Sequence, residues 1–158
     1  MSIFYIDSPA QGTEKGVLLL IHGFPETSYQ FRHVITPLSE RGYRVIAPDY
    51  RGAGHSSRTR GLEGYRKSVL AADLVSVLDS LSIDKVHVVG HDIGGMVAHS
   101  FASRYPDRTR SVMWGECPQP GTKAYGEFRP CGRIIDGADD RRHVQDGRRL
   151  ALHLPLAG

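Results

Sequence analysis

The amino-acid sequence predicts an α/β fold, a doubly wound and mostly parallel sheet, on three observations. Short runs rich in β-branched residues and apolar on both faces recur along the chain, as buried parallel strands do. Stretches with apolar residues at helical spacing lie between them. The two kinds alternate, the pattern that right-handed crossovers wind into one parallel sheet.

The elements follow in order. An edge-like piece, IFYIDS at 3–8, precedes the first buried run, GVLLLIHG at 16–23. Thr27 or Ser28 then caps a helix whose face is Phe31, Val34, Ile35 and Leu38, with Gly42 as its stop. YRVIAPD at 43–49 is the second buried run, and Leu70, Leu74, Val77, Leu78 and Leu81 mark a helix over about 65–81. VHVVGHD at 86–92 is the third run. A helix from Ile93 to about Arg104 follows, ended by Tyr105-Pro106. RSVMWGEC at 110–117 is the last strand-like run.

At 158 residues the chain is long enough for one domain that buries roughly 70% of its unfolded surface, yet short for a complete α/β enzyme. The longest apolar run, Val17 to Ile21, is far below the ~18 residues of a membrane span, so no membrane partner is expected. The N-terminus lacks a signal-peptide pattern, which makes the cytoplasm the expected location. Net charge is +3, and residues 129–158, with six Arg and four Asp, hold +2 of it. Without a basic face elsewhere, nucleic acid is not an expected partner. Cys117 and Cys131 lack Cys-x-x-Cys spacing and read as free thiols, and neither a metal nor a cofactor is expected. From 129 to 158 lysine is absent, arginine is dense and neither period persists. This stretch is expected to stay outside the sheet as an irregular tail, and its abrupt composition suggests another reading frame or a retained intron.

The chemistry gathers at one turn. Gly90-His91-Asp92-Ile93-Gly94-Gly95 fits a strand-turn-helix elbow of the form Gly-x-nucleophile-x-Gly, with the central side chain held in strained backbone geometry. Strand and helix nearly touch there, so Gly90 and Gly94 supply room. On this turn alone Asp92 reads equally as a helix N-cap. A second segment, His22-Gly23-Phe24-Pro25 at the end of the first buried run, favours the nucleophile. The loop after that strand and the residue after the nucleophile each supply an N–H to an oxyanion hole, which here are Phe24 and Ile93. His22, Gly23, Pro25, His91 and Gly95 shape these two loops. A third segment, PDYRGAGHSS at 48–57, reads as a tight structural loop built by Asp49, Arg51, Gly52, Gly54 and Ser56.

Taken in order, these three segments resemble the α/β-hydrolase fold and, within it, the epoxide hydrolases and haloalkane dehalogenases; the resemblance covers about 3–128. It implies a division into the N-terminal part of a hydrolase core, 1–128, and the tail, 129–158. It also implies a carboxylate nucleophile that takes an alkyl group at an sp³ carbon, with water then cleaving the alkyl ester. The substrate is a small-molecule epoxide or other alkyl electrophile. Haloalkane dehalogenases cradle halide with a Trp after the nucleophile and an Asn in the His-Gly-x-Pro segment, positions that are Ile93 and Phe24 here, so epoxide opening is favoured. The family's catalytic histidine, charge-relay acid and cap tyrosines are not assignable in the sequence. His33, His87 and His99 are placed on a helix, a strand and a helix, and His143 and His153 fall in the tail. The site is therefore expected to be half built. The alternatives are a dehalogenase-like hydrolase and a truncated, non-catalytic interaction protein.

Overall fold

The computed structural model describes residues 1–117; the expected tail, with Cys131, His143 and His153, lies outside them. The four strand-like runs become parallel strands within a residue or two of their predicted limits, but the last, expected to be buried, holds no buried residue among those described because it is the edge strand of the sheet, and Met113 is exposed. These are β2 (Gly16–Ile21), β3 (Tyr43–Pro48), β4 (Val86–His91) and β5 (Thr109–Gly115). The edge piece is β1 (Tyr5–Ser8), which pairs antiparallel with β3, Tyr5 facing Pro48. One sheet results, in the order β1-β3-β2-β4-β5.

Alternation along β2 decides which side each residue serves. Leu19 and Ile21 join Ile46, Val86 and Val88 on one face, where they pack with Leu70, Leu74, Leu78, Val97 and Phe101. Leu20 joins Val45 and Ala47 on the other, covered by Ile35. Helices α2 (Lys67–Ser80) and α3 (Ile93–Arg104) therefore cover the larger core, and α1 (Ile35–Glu40) the smaller. Leu74 is fully buried, so Leu74→Ala would remove about 2–5 kcal/mol of stability.

The first predicted helix is split. Thr27 caps a single 3-10 turn, Ser28–Phe31, by accepting from Tyr29 N–H, and α1 begins only at Ile35. His33 consequently sits in the intervening turn instead of on a helix, and Val34 is exposed. The physical reason is Pro37: in one continuous helix from Ser28 its ring and missing N–H would fall in the interior, whereas a helix starting at Ile35 places it in the first turn, and Ser28 N–H, on the carboxylate of Asp49 at 2.7 Å, fixes the separate turn against the loop after β3. The other predicted helices keep their places, and Gly42 closes α1 with φ +90°. With β5 at one end of the order, the carboxyl ends of β2, β3 and β4 open on the same edge, where loops carry ligands in open α/β sheets.

Candidate active site

Asp92 stands between β4 and α3 with φ +52° and ψ −126°. Such backbone geometry costs a non-glycine residue of order 1–3 kcal/mol and persists only where the surroundings impose it. Here the Asp92 N–H donates to Gly115 O at 2.9 Å, extending the β4–β5 ladder, while its C=O accepts from Gly95 N–H at 2.8 Å as α3 starts. The side chain makes no cap hydrogen bond to α3, which removes the N-cap alternative. It crosses instead to the loop after β2, where Phe24 N–H donates to Oδ2 at 2.9 Å.

Closeness explains the glycines. A Cβ at Gly94 would lie 2.2 Å from Ile21 O and 2.5 Å from His22 O, and one at Gly90 would lie 2.2 Å from Gly94 O. One at Gly23 would stand 2.9 Å from Asp92 Cβ. At Gly95 it would strike the Cys117 sulfur at 2.5 Å. Strand, helix and loop thus meet at Asp92 with no space for side chains.

Of the two expected amide donors, Phe24 is hydrogen-bonded to the carboxylate. The Ile93 N–H, first in α3, has no acceptor among the described residues, as befits a first-turn amide. Phe24 itself is 72% exposed, and the Phe24-Pro25 peptide bond is cis. His22 is fully buried; its Nδ1–H donates to Gly23 O at 2.7 Å and its ring stacks on Tyr50 with 4.1 Å between centroids. Burial pushes the His22 imidazole below its ordinary value, outweighing the Gly23 carbonyl and the charges of Asp49 and Glu26.

Two residues that sequence reasoning missed complete the setting. Tyr50 O–H donates to Gly23 O at 3.3 Å, and burial, with the charge of Asp92, pushes the phenol up to about 12. It stays a donor across the physiological range. Gln30 links Gly23 to His91, with Oε1 3.1 Å from Gly23 N and Nε2 3.0 Å from His91 Nδ1. Tyr50 was visible as the neighbour of Asp49, but no spacing rule points to Gln30. Cys117 is a free thiol beside the first turn of α3, pushed up by burial and then by Asp92. The loop after β3 is structural, as read from the sequence: Asp49 binds two backbone N–H groups, and Arg51 pairs with Asp73 of α2 through two contacts of 2.6 and 2.7 Å.

The arrangement offers a half-buried carboxylate with one oxygen held by an amide and the other, Oδ1, bound to nothing among the described residues. Among the described residues no histidine is hydrogen-bonded to a carboxylate, the pairing a water-activating base uses, and no group of His, Cys, Asp and Glu could hold a metal ion. No helix among them is long and apolar enough to cross a membrane.

Comparisons with known proteins place this geometry. The family profile for the alpha/beta hydrolase fold matches residues 16–114. Epoxide hydrolase B of Mycobacterium tuberculosis is 42% identical over 166 aligned positions, covering 96% of this chain, and so most of 129–158, but 46% of that protein. Epoxide hydrolase 3 of Siraitia grosvenorii is 44% identical over 97 positions, 61% of this chain and 31% of its own length. The chain thus spans less than half the length of these relatives. Among solved structures, epoxide hydrolase A of Mycobacterium thermoresistibile superposes with a TM-score of 0.66 at 38% identity, over 71% of this chain and 34% of that one. A variant epoxide hydrolase from Bacillus megaterium, complexed with its naphthyloxy-propanediol product, does so with 0.67 at 33% identity, over 75% and 40%.

Proposed function

The chain belongs to the α/β-hydrolase fold family, and on that premise we propose that it is an epoxide hydrolase-like enzyme in which Asp92 opens an epoxide through an alkyl ester. The observation that carries this reading is the carboxylate at the elbow, strained at φ +52° and bound on one oxygen by Phe24 N–H. The bound oxygen, Oδ2, is committed to its donor; Oδ1 is the nucleophile. Its lone pair attacks an epoxide carbon, the C–O bond to the ring oxygen breaks, and that oxygen leaves with the electron pair to take a proton from solvent water. Oδ2 is then the ester carbonyl. Water, relieved of a proton by a base, adds to the Asp92 carboxyl carbon, and the oxyanion forms on Oδ2 where the Phe24 and Ile93 amides receive it. Loss of one such donor costs ~10²–10³ in rate. Collapse breaks the bond from the carboxyl carbon to Oδ1; the diol leaves with that oxygen and takes the remaining proton of the added water, and the restored carboxylate consists of Oδ2 and the water's oxygen.

Serine chemistry at this turn would make acyl esters; a carboxylate suits alkyl transfer. Halide displacement fits less well, because Phe24 and Ile93 have no side-chain N–H to offer a leaving halide. The diol product named for the Bacillus megaterium relative agrees with epoxide opening. The reactants are then a small-molecule electrophile and water, without nucleic acid, and the cytoplasm is the compartment. His22, Gly23, Pro25, Gly90, His91, Gly94 and Gly95 support the two loops. The division at residue 128 belongs to the proposal too. Translation of the coding DNA past 128 in the other frames tests it, and the reach of the Mycobacterium tuberculosis alignment into 129–158 is what a frame change has to accommodate.

Incubation of the 158-residue polypeptide with a small epoxide tests the function. Because the described residues supply no base, the expected result is one persistent adduct on Asp92 by intact-mass analysis, absent in Asp92→Ala, without accumulating diol. An adduct elsewhere, or none, overturns the nucleophile; sustained diol release shows that a base is present after all.

A further inference from the structure

Deepening the reading of Asp92 as the nucleophile, on which it rests, we propose that Gln30 is a positioning residue that ties the amide-bearing loop after β2 to the turn that presents Asp92. Its carboxamide spans two segments far apart in sequence. Gly23 N–H donates to Oε1 at 3.1 Å, and Nε2 lies 3.0 Å from His91 Nδ1.

The direction of this hydrogen-bond chain is forced. A backbone N–H only donates, so the atom facing Gly23 is the carbonyl oxygen and the opposite atom is the amide nitrogen, also a donor. The His91 nitrogen facing it must offer a lone pair, which places that ring's proton on Nε2. Turning the carboxamide over would set its NH₂ against the Gly23 N–H. Gln30 therefore selects both its own orientation and the tautomer of the residue that precedes the nucleophile.

The effect at Asp92 is passed along one residue, from the Gly23 N–H to the peptide that follows it. Gly23 is held by its N–H through Gln30 and by its C=O through His22 and Tyr50. The next N–H along the chain is that of Phe24, on Asp92 Oδ2 at 2.9 Å. The Phe24 side chain is exposed and cannot anchor this loop by packing. Binding to His91 makes the amide and the carboxylate share one frame, which matters because a site displaced by about 0.5 Å loses its productive geometry. Gln30 touches neither the carboxylate nor a reacting atom.

NMR of the full 158-residue chain tests the tie without turnover. In the unsubstituted protein the His91 ring nitrogens should report the Nε2–H tautomer, and the Phe24 amide proton should resonate downfield through its bond to the carboxylate. Gln30→Met should remove the tautomer preference and the downfield shift while the remaining amide spectrum is kept. Gln30→Glu accepts from Gly23 as before but cannot donate, and should convert His91 to the Nδ1–H form, an effect that general packing would not produce. An Nδ1–H ring in the unsubstituted protein, or a Phe24 amide unmoved in folded Gln30→Met, overturns the proposal. If Gln30→Met does not fold, Gln30→Glu decides alone, and an unchanged His91 ring refutes the tie. Absence of an Asp92 adduct alongside the expected spectra would remove the alkyl-ester reading and leave the tie standing.

Discussion

Two aspartates follow the carboxyl ends of strands on either side of β2, Asp49 after β3 and Asp92 after β4, and their surroundings are opposites. Asp49 is 1% exposed, and its carboxylate accepts from Ser28 N–H at 2.7 Å and His55 N–H at 3.0 Å. Asp92 is half-buried, and among the described residues accepts from Phe24 N–H alone. A carboxylate whose two oxygens both hold backbone amides is a fastener, since attack through either would orphan a donor. One with a free oxygen on a strained turn can react. Strand position is shared; the number of donors aimed at each oxygen separates structure from chemistry.

Substitutions at the two sites sharpen this contrast. The largest effect is expected at Asp92. Asp92→Ala should lower the rate of ester formation by ~10⁴-fold or more in intact-mass kinetics. Asp92→Asn, which keeps an acceptor for Phe24, should shift unfolding by less than about 1 kcal/mol in urea. A large loss of stability in Asp92→Asn would make it a fastener like Asp49 and break the comparison.

Next comes the space that lets the elbow approach β2. Gly94→Ala forces a Cβ against the carbonyls of Ile21 and His22, which cannot yield without moving the strand, and should cost about 3 kcal/mol in urea unfolding. A neutral result would mean that the strand gives way freely.

Asp49→Ala should cost ~2–3 kcal/mol, because Ser28 and His55 lose their acceptor in a buried place. Acidity offers a second view of the same group. Burial alone would raise the Asp49 carboxyl, but the Ser28 and His55 amides and the nearby His22 leave it below its ordinary value of 3.8. Its contribution is therefore fully present above that value and is lost as pH falls through the lower, folded one. Unfolding measured from pH 6 down to pH 2 should show the unsubstituted chain losing more stability than Asp49→Asn; parallel curves would refute the assignment.

The smallest effect is expected at Arg51, whose two-pronged contact with Asp73 ties the same loop to α2 at side-chain exposures of 13% and 10%. Arg51→Lys keeps the charge and loses the fork, and should cost about 1 kcal/mol. A cost above that of Asp49→Ala would show that the ion pair, and not the buried aspartate, holds the loop.

Much of this was legible in the order of residues because local rules carry it. Short β-branched runs apolar on both faces read as strands, so β2 to β5 were visible within a residue or two, as were α3 and its end before Pro106, although β5 did not prove buried. Gly90, Gly94 and the aspartate between them announced a tight turn, and the loop from Asp49 to Ser56 was recognised as structural. The single helix drawn after Thr27 failed, because Pro37 is tolerated only in the first turn of a helix and forces a new start at Ile35, while the turn before it is held by Asp49, a partner 21 residues from Ser28 that no periodicity can reveal. His33 was misplaced with it.

By itself, then, the sequence determined the strand and helix pattern, the elbow and the candidate nucleophile, since backbone sterics and hydrophobic period act between near neighbours. Which oxygen of Asp92 is held, which remains open, and that Gln30 and Tyr50 stand behind the amide loop were decided only when β2, β3 and β4 came side by side. Hydrogen bonds are short and directional, and apart from the Gln30–Gly23 bond, which spans 7 positions, the groups that make them here are separated by 27 to 68 positions in the chain before folding sets them within about 3 Å.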